Sequence, residues 1–238
     1  MRCWGRMQGH DIIVIGASAG GVEALPKLLG KLPKNLPASV FVVLHISYSA
    51  IGFLPNILSR SGGLKADHAS GGEVIRQGKI YVAPPDHHLL IERGRMLLSH
   101  GEKENRHRPA VDPLFRSAAN AYGPRVVGVI LTGSMDDGTR GLDAIKKSGG
   151  VAIVQNPEEA FAQDMPLSAL RNVEVDYVLS LAKIPGVLAR LAKTPINELP
   201  GRESKRSGGD PVPVPKKGFQ GGPESLNSSA LFKNRILF

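Results

Sequence analysis

A serine framed by glycines follows the first apolar run of the chain. Ile12 to Ile15 is β-branched throughout, which is typical of a strand buried on both faces of a parallel sheet. The next residues, Gly16-Ala17-Ser18-Ala19-Gly20, satisfy the G-x-S-x-G pattern, in which a sharp strand-to-helix turn exposes a nucleophilic serine. The free N–H groups of a following helix favour the negative charge that develops when such a serine attacks a carbonyl. Ser18 is therefore the first candidate nucleophile.

Two other interpretations of this turn stay open. A glycine-rich turn after a first strand also cradles phosphates or dinucleotides in α/β proteins. The spacing argues against both nucleotide sites, because no G-x-G-x-x-G can be read here and no lysine follows the glycines as a P-loop requires. A plain structural turn, in which glycine supplies backbone freedom, remains the alternative to a nucleophile.

A histidine stands at the end of the second predicted strand. Ser39 to Leu44 reads SVFVVL, an apolar and β-rich run, and His45 follows it directly. If this strand lies parallel to the first and beside it, His45 and Ser18 emerge from the same edge of the sheet, where open α/β sheets place their sites. The simpler interpretation is a surface or capping histidine.

Acidic residues occupy a further junction between a strand and a helix. Val126 to Leu131, VVGVIL, runs into the loop 132–138, and a predicted helix from Thr139 to Lys147 follows. The loop therefore brings Asp136 and Asp137 to the sheet edge predicted for the serine and the histidine. Either aspartate could instead serve as a helix N-cap.

The three side chains together form a candidate catalytic triad for acyl transfer. In this hypothesis His45 removes the proton of Ser18 as the serine oxygen attacks a carbonyl, and Asp137 holds and stabilises the imidazolium. Backbone N–H groups of the neighbouring loops would stabilise the tetrahedral oxyanion. The candidate donors are the N–H groups of Ser134, Met135 and Ala19.

The elements that must position these residues predict an α/β fold. Strands alternate with amphipathic helices, which is the pattern of a parallel sheet. Predicted helices cover Val22–Lys31, Ile51–Arg60, Val111–Tyr122, Thr139–Lys147, Met165–Arg171 and Ile184–Leu191, and later strands cover Val151–Gln155 and Asp176–Ser180. The order of serine and then histidine on the very next strand excludes the α/β-hydrolase sheet, in which the histidine comes last.

Between Lys65 and Ser99 the signals are short β segments separated by turns. The segments are Lys79–Ala83, Leu89–Glu92 and Arg95–Ser99. They predict a β-hairpin insertion rather than further β-α units. Four histidines lie in or near its loops, namely His87, His88, His100 and His107. Their spacing is not that of a zinc site, so we expect no metal, and only the pair His87-His88 is kept as a candidate for lining a pocket.

Composition limits the class of protein. The 238 residues are 42% hydrophobic, which is enough for one sizeable core in a soluble protein. The single cysteine, Cys3, excludes a disulfide framework, so a reducing, cytoplasmic location is expected. Neither a signal peptide nor a membrane anchor is indicated. The net charge of +9 favours acidic partners, but no RNA or DNA motif is present and we expect no nucleic-acid partner.

Three parts of the chain differ in composition. Residues 1–10 form an N-terminal extension, and residues 11–195 contain the predicted domain. Residues 196–238 form a low-complexity tail, in which Gly, Pro, Ser and Lys dominate from Gly201 onward and predict disorder. Within that tail Ala230 to Phe238 is apolar and basic, so docking of this end is the alternative to fraying.

Six pieces of sequence occur in order from about Ile12 to Leu191. They are VIGASAGG, VVLH, GKIYVAPPDHHL, RHRPAVDPLFRSAA, GVILTGSMDDGTRGL and AFAQDMPLSAL. In these pieces the chain resembles the catalytic domain of the chemotaxis protein-glutamate methylesterases, the CheB family. Together they are far more specific than G-x-S-x-G alone.

The resemblance implies a fold, an activity and roles for single residues. It implies a doubly wound, mainly parallel α/β sheet with an added β-hairpin. It implies hydrolysis of γ-glutamyl methyl esters on chemoreceptor helices with release of methanol, and often deamidation of receptor glutamines, without a cofactor. Ser18 would be the nucleophile, His45 the base and Asp137 the orienting acid, with an oxyanion donor near Ser134. The choice of Asp137 over Asp136 rests mainly on this resemblance.

The sequence departs from the family pattern in three places. Only about ten residues precede the first strand, so the receiver domain that usually precedes the catalytic part is not expected, nor is control by its phosphorylation. The loop before Asp137 reads SMDD, where a glycine-containing version is common. The tail beyond Gly201 has no counterpart in the pattern.

Two rival functions remain beside the methylesterase. One is a hydrolase of another small ester or amide. The other is a non-catalytic module that keeps the fold and binds receptor helices or a receptor methyltransferase; the intact Ser18, His45 and Asp137 argue against it.

Overall fold

A parallel β-sheet forms the centre of the molecule, which a computed structural model describes over residues 9–45 and 53–196. The strands are β1 (Ile12–Ala17), β2 (Ser39–Leu44), β3 (Lys65–His68), β4 (Lys79–Val82), β5 (His88–Glu92), β6 (Arg95–Ser99), β7 (Val126–Ile130), β8 (Val151–Gln155) and β9 (Tyr177–Leu179). Seven of them pair in the order β3-β4-β2-β1-β7-β8-β9, and every pairing in this sheet is parallel.

Helices cover both faces of the sheet. They are α1 (Gly21–Leu29), α2 (Leu54–Ser61), α3 (Val111–Tyr122), α4 (Thr139–Lys147), α5 (Asp164–Asn172) and α6 (Ile184–Lys193). One apolar cluster joins one face of the sheet to α1, α2 and α6, and a second joins the other face to α3, α4, α5 and the β5-β6 hairpin. In β1 the side chains alternate between the clusters, since Ile13 and Ile15 belong to the first and Ile12 and Val14 to the second. The predicted doubly wound α/β class is confirmed.

Strand β1 is the point at which the chain switches from one side of the sheet to the other. From β1 it proceeds through β2 to one side, and later it returns to place β7 on the other side of β1. Such a switch point leaves a crevice at the carboxyl ends of the strands, where ligands bind in open α/β sheets. The register pairs Ala17 with Leu44, so the residues that follow the two strands, Ser18 and His45, leave the sheet side by side.

The predicted β-hairpin insertion is present but shorter than expected. Strands β5 and β6 form an antiparallel pair outside the main sheet. The segment at Lys79, which we had assigned to the insertion, is instead β4, a parallel strand between β2 and β3. That part of the prediction is wrong because no helix separates β3 from β4. The sequence therefore lacks the helical signal by which a β-α unit is recognised. In the structure Ile80 and Val82 are buried in the cluster that contains α1, α2 and α6.

Most predicted element bounds agree with the structure to within two or three residues. The predicted helix Ile51–Arg60 begins outside the described residues, and its described part is α2. The compact unit that contains the described residues ends by Arg202, and Glu203–Phe238 is assigned to a second unit. The predicted tail lies outside the described residues from 197 onward, so its boundary and its disorder stay predictions. None of the helices in the described ranges combines the length and the apolar character needed to cross a membrane.

Candidate active site

Ser18 is the first residue after β1 and is held on both sides by backbone hydrogen bonds. Its N–H donates to the Thr132 carbonyl at 2.9 Å, and its carbonyl accepts from the N–H of Gly21 at 2.8 Å. Gly20 caps α1 with a φ of 79°, in the left-handed region that glycine adopts without strain. The turn therefore carries the serine from the edge of the sheet into the start of a helix, as the sequence pattern predicts.

A hydroxyl group ties the serine turn to two other loops. Thr132 Oγ1 donates to the Ala19 carbonyl at 2.8 Å and accepts from the Ala162 N–H at 2.9 Å. The N–H of Thr132 itself donates to the side chain of the buried Gln155 at 2.9 Å. These bonds fix the loops after β1, β7 and β8 against one another, so the serine stands on a rigid base.

The loop after β7 approaches the serine closely. A Cβ atom added to Gly133 would lie 2.9 Å from the Cβ of Ser18 and would overlap Met165 Sδ. Only glycine fits between them without a shift of one neighbour.

His45 follows β2 and is placed by the neighbouring strand. Its N–H donates to the Ala17 carbonyl at 3.1 Å, and its side chain is only 3% exposed. Its Nε2 lies 2.8 Å from Asp137 Oδ2, which is an ion-pair distance. The alignment of the two groups is not that of a hydrogen bond. Nδ1 has no hydrogen-bond partner among the described residues. Both ring nitrogens are buried, and because Nε2 faces the carboxylate, Nδ1 is the candidate base.

Asp137 lies behind His45 and accepts hydrogen bonds from three other groups. The N–H groups of Val111 and Asp112, at the start of α3, donate to it at 2.7 and 3.1 Å, and Asn105 Nδ2 donates at 2.6 Å. The side chain is 2% exposed. The carboxylate thus occupies the anion-binding end of a helix while it also contacts the imidazole.

These contacts keep Asp137 ionised. Burial by itself would raise its pKa, but the close contact with His45 and its charge, with the donors on Val111 and Asn105, hold the pKa of Asp137 below its ordinary value. The nearby Asp112 shows the opposite balance. Burial and the charge of Asp137 raise the pKa of the Asp112 carboxyl above its usual range, although hydrogen bonds from the Gly141 N–H and the Asn105 amide act to lower it. Asp137 is therefore held as the charged acid at the site, and the buried Asp112 lies beside it, joined to it through the Asn105 amide.

Two residues of the site were given no role by the sequence reasoning. The ring of His107 stacks on that of His45, with 3.8 Å between centroids and 7° between planes. Asn105 bridges Asp137 and Asp112 through one amide nitrogen, from a left-handed backbone conformation with φ 49°. Both lie in or directly before the piece RHRP, so the resemblance pointed to the segment, but only tertiary contacts reveal what its side chains touch.

The oxyanion candidates differ in what their N–H groups bind. Within the described residues the N–H groups of Ala19 and Ser134 make no hydrogen bond. The N–H of Met135 points instead to Asp164 Oδ2 at 3.4 Å, and Met135 has a left-handed φ of 69°. Ala19 and Ser134 are thus the candidates whose donors are available to a ligand.

Ser18 and His45 line one open cleft of about 690 Å³. Its walls come from the turn after β1, the first turns of α1 and the loop that contains Phe161. Asp137 does not line the cleft, since it lies behind the imidazole, while Asp136 is exposed. The arrangement can present an ester carbonyl to Ser18 from solvent while the acid stays buried.

The remaining histidines do not join this site. His88 is buried, its Nε2 lies 2.8 Å from the Glu102 carbonyl oxygen and its Nδ1 accepts the Ala110 N–H, and neither His87 nor His88 lines the cleft. His100 pairs with Asp86. Over the part of the chain that the structure describes, no group of three or more histidine, cysteine, aspartate or glutamate side chains is arranged to hold a metal ion.

Comparisons with known proteins agree with this geometry. The family model for the CheB methylesterase matches residues 13–188. A Leptospira interrogans protein that carries the provisional name protein-glutamate methylesterase/protein-glutamine glutaminase is 43% identical over 183 residues, which are 76% of this chain and 95% of that protein. A Methanosarcina mazei protein-glutamate methylesterase/protein-glutamine glutaminase is 35% identical, over 77% of this chain and 52% of its own length.

Among solved structures, the catalytic domain of the Thermotoga maritima CheB methylesterase superposes with a TM-score of 0.73 at 37% identity. The match covers 76% of this chain and 98% of that domain. The chain thus spans the whole of one solved catalytic domain and about half the length of the Methanosarcina relative.

Proposed function

The chain belongs to the CheB methylesterase family, and we propose that it hydrolyses the methyl esters of glutamyl side chains on chemoreceptors. The observation that carries this proposal is the placement of Ser18, His45 and a buried, ionised Asp137 at one edge of the sheet, with the serine and the histidine in one open cleft. A serine hydrolase needs a nucleophile, a base and an orienting acid in this relation.

The first half of the reaction forms an acyl-enzyme. Ser18 Oγ attacks the ester carbonyl as His45 Nδ1 takes its proton, because Nε2 is already held by Asp137. The new C–O bond gives a tetrahedral oxyanion. When the oxyanion collapses, the bond to the methoxy oxygen breaks, the proton on Nδ1 passes to that oxygen, and methanol leaves.

The second half restores the enzyme. A water molecule loses a proton to Nδ1 and attacks the acyl carbon, and the bond to Ser18 Oγ breaks as the serine regains its proton. The product is a free glutamyl carboxylate. The same steps on a glutamine side chain would release ammonia, and the relatives named as glutaminases support that second activity.

The oxyanion requires donors that are in place before the reaction starts. The N–H groups of Ala19 and Ser134 suit this role, since neither is bound within the described residues. One such donor is typically worth about 2.7–4 kcal/mol of transition-state stabilisation. The bond from Met135 to Asp164 makes it the weaker candidate of the three.

The substrate and setting follow from the family. The methylated segments would be cytoplasmic helices of chemoreceptors, so we place the activity in the cytoplasm, and a receptor methyltransferase would supply the esters. The open cleft of this chain suits a side chain carried on another protein.

The decisive experiment measures methanol release from methyl-labelled receptor membranes. Wild type and Ser18→Ala are compared, with Ser70→Ala as a matched control in an exposed loop. Release that only Ser18→Ala abolishes supports the proposal. Equal background release by all three proteins would contradict it and favour a binding module or another ester, and labelling of Ser18 by a small fluorophosphonate would distinguish those two.

A further inference from the structure

Phe161 presents a large apolar surface beside the candidate nucleophile. Its side chain is 84% exposed, and it lines the cleft that contains Ser18. An exposed aromatic ring forfeits the hydrophobic stabilisation that burial would give. Exposed apolar residues in a concave region are typical of surfaces that bind another molecule.

The backbone on both sides of Phe161 is fixed. The Ala160 N–H donates to the Pro157 carbonyl at 3.1 Å, and the Ala162 N–H donates to Thr132 Oγ1 at 2.9 Å. The Ala162 carbonyl accepts from the N–H of Gly133 at 3.0 Å. Because these bonds join the backbone on either side of Phe161 to the loops that hold Ser18, the Cα of Phe161 has a fixed place beside the serine turn.

Val22 extends the apolar surface from the other wall of the cleft. It lies in the first turn of α1, lines the same cleft and is 37% exposed. We call Phe161 and Val22 the apolar rim. The charged side chains around the cleft have both signs, with Glu23 and Glu159 opposed by Lys27. Because these charges oppose one another, we expect ligand selection at this wall to depend on the apolar rim rather than on charge.

The length of a glutamyl side chain brings its polypeptide to this rim. Three carbon–carbon bonds separate the α-carbon from the ester carbonyl, a reach of about 4 Å. A carbonyl within bonding distance of Ser18 therefore holds the substrate backbone at the mouth of the cleft. The residues that flank the ester then lie at the mouth of the cleft, whose walls carry Phe161 and Val22.

We propose that the apolar rim binds an apolar side chain next to the esterified glutamate and thereby selects esters on polypeptides over small esters. The inference rests on the proposed function, because it names what that site recognises. Its occupant is a residue of the substrate polypeptide, in contact with the ring of Phe161 while the ester reaches Ser18.

The test compares two reactions of the same serine. The first is methanol release from methyl-labelled receptor membranes, and the second is labelling of Ser18 by a small fluorophosphonate, which does not reach the rim. Phe161→Ala should raise KM for the receptor about tenfold, with kcat and the labelling rate within about twofold of wild type. Phe161→Leu, which keeps an apolar side chain, should recover part of the loss. Val74→Ala removes an apolar side chain that is 61% exposed and outside the cleft, and should change nothing.

Two results would overturn the inference. Receptor turnover by Phe161→Ala with a wild-type KM would show that the rim binds nothing, and an equal loss in both reactions would show that Phe161 only supports the serine turn. Failure of the proposed function has a different signature, since the wild type and Ser18→Ala would then release methanol equally, at background level.

Discussion

Asp137 serves two partners with one carboxylate. It accepts the first N–H groups of α3 and also contacts the imidazole of His45. The sequence reasoning treated an N-cap role and a catalytic role as alternatives. In the structure one carboxylate can serve both roles, because the helix that this aspartate caps is α3, which precedes it in the chain, and not α4, which follows it. Capping of α3 is therefore part of how the acid is oriented.

Replacement of this carboxylate should separate the two neighbouring aspartates. Asp137→Asn puts an amide group where the N–H groups at the start of α3 need an acceptor. We therefore expect kcat to fall by about 10⁴, which is the typical cost of a histidine in the wrong tautomer. The exposed Asp136 makes no contact with His45, and Asp136→Asn should stay within a few-fold of wild type. Steady-state methanol release measures both. A larger loss in Asp136→Asn would reverse the assignment.

His107 should make stability depend on pH. Burial and the neighbouring charge of His45 lower the pKa of His107 below its ordinary value of 6.5, although Asp137 opposes this. The unfolded chain then binds the proton more readily, so the free energy of unfolding falls as the pH drops below 6.5. In His107→Phe, which keeps a planar ring on His45, this part of the slope should vanish. Urea unfolding between pH 7 and pH 5 tests this, and parallel curves for the two proteins would contradict it.

At the scale of elements, the site depends on loops that lock against one another. The loops after β1, β7 and β8 converge on Thr132 Oγ1, and each follows a parallel strand whose register fixes its starting point. Gly133 lies where these loops are tightest, between Ser18 and Met165. Small changes in loop packing should therefore act on the serine directly.

Gly133→Ala tests this tight packing. The added methyl group would overlap Met165 and press on Ser18, so we expect destabilisation by about 1–3 kcal/mol together with a clear loss of activity per folded molecule. Gly186→Ala is the control, because that glycine lies in α6 with nothing near its added methyl group. It should stabilise the protein by about 0.5–1 kcal/mol and leave activity intact. Thermal unfolding and Ser18 labelling measure the two effects, and normal labelling of Gly133→Ala would refute the contact.

At the scale of the molecule, two apolar clusters stabilise the domain. Both clusters draw on residues between Ile12 and Ala192, and each packs helices on one face of the central sheet. The β5-β6 hairpin joins the cluster on the face of α3, the helix whose start binds Asp137. The hairpin thus adds apolar packing around the helix that binds Asp137, without adding a strand to the main sheet.

A shortened chain should keep both fold and activity. Within the described residues the clusters end by Ala192, and the compact unit ends by Arg202, so a chain that stops at Arg202 should unfold within about 2 °C of the full chain and release methanol at the same rate. Differential scanning calorimetry and the receptor assay measure this. A large loss of stability would assign the segment beyond Arg202 to the domain.

The sequence by itself determined most of the strands, the order of serine, histidine and aspartate, and the edge of the sheet where they meet. These follow from local signals, namely β-branched runs, glycines at a turn and helical periodicity. Resemblance in six pieces added the family and the choice of Asp137. The same local signals misplaced β4, because nothing between β3 and β4 has a helical pattern.

Only the tertiary structure decided which groups touch the residues of the candidate triad. Three contacts join residues that lie far apart in the chain or on loops without periodicity. They are the stack of His107 on His45, the hydrogen bond from Asn105 to Asp137 and the hydrogen bond from Thr132 Oγ1 to Ala19. Such contacts depend on how sheet and helices pack, and no spacing in the sequence encodes them. The exposed ring of Phe161 is of the same kind, since its apolar character predicts burial and only the fold leaves it at the mouth of the cleft.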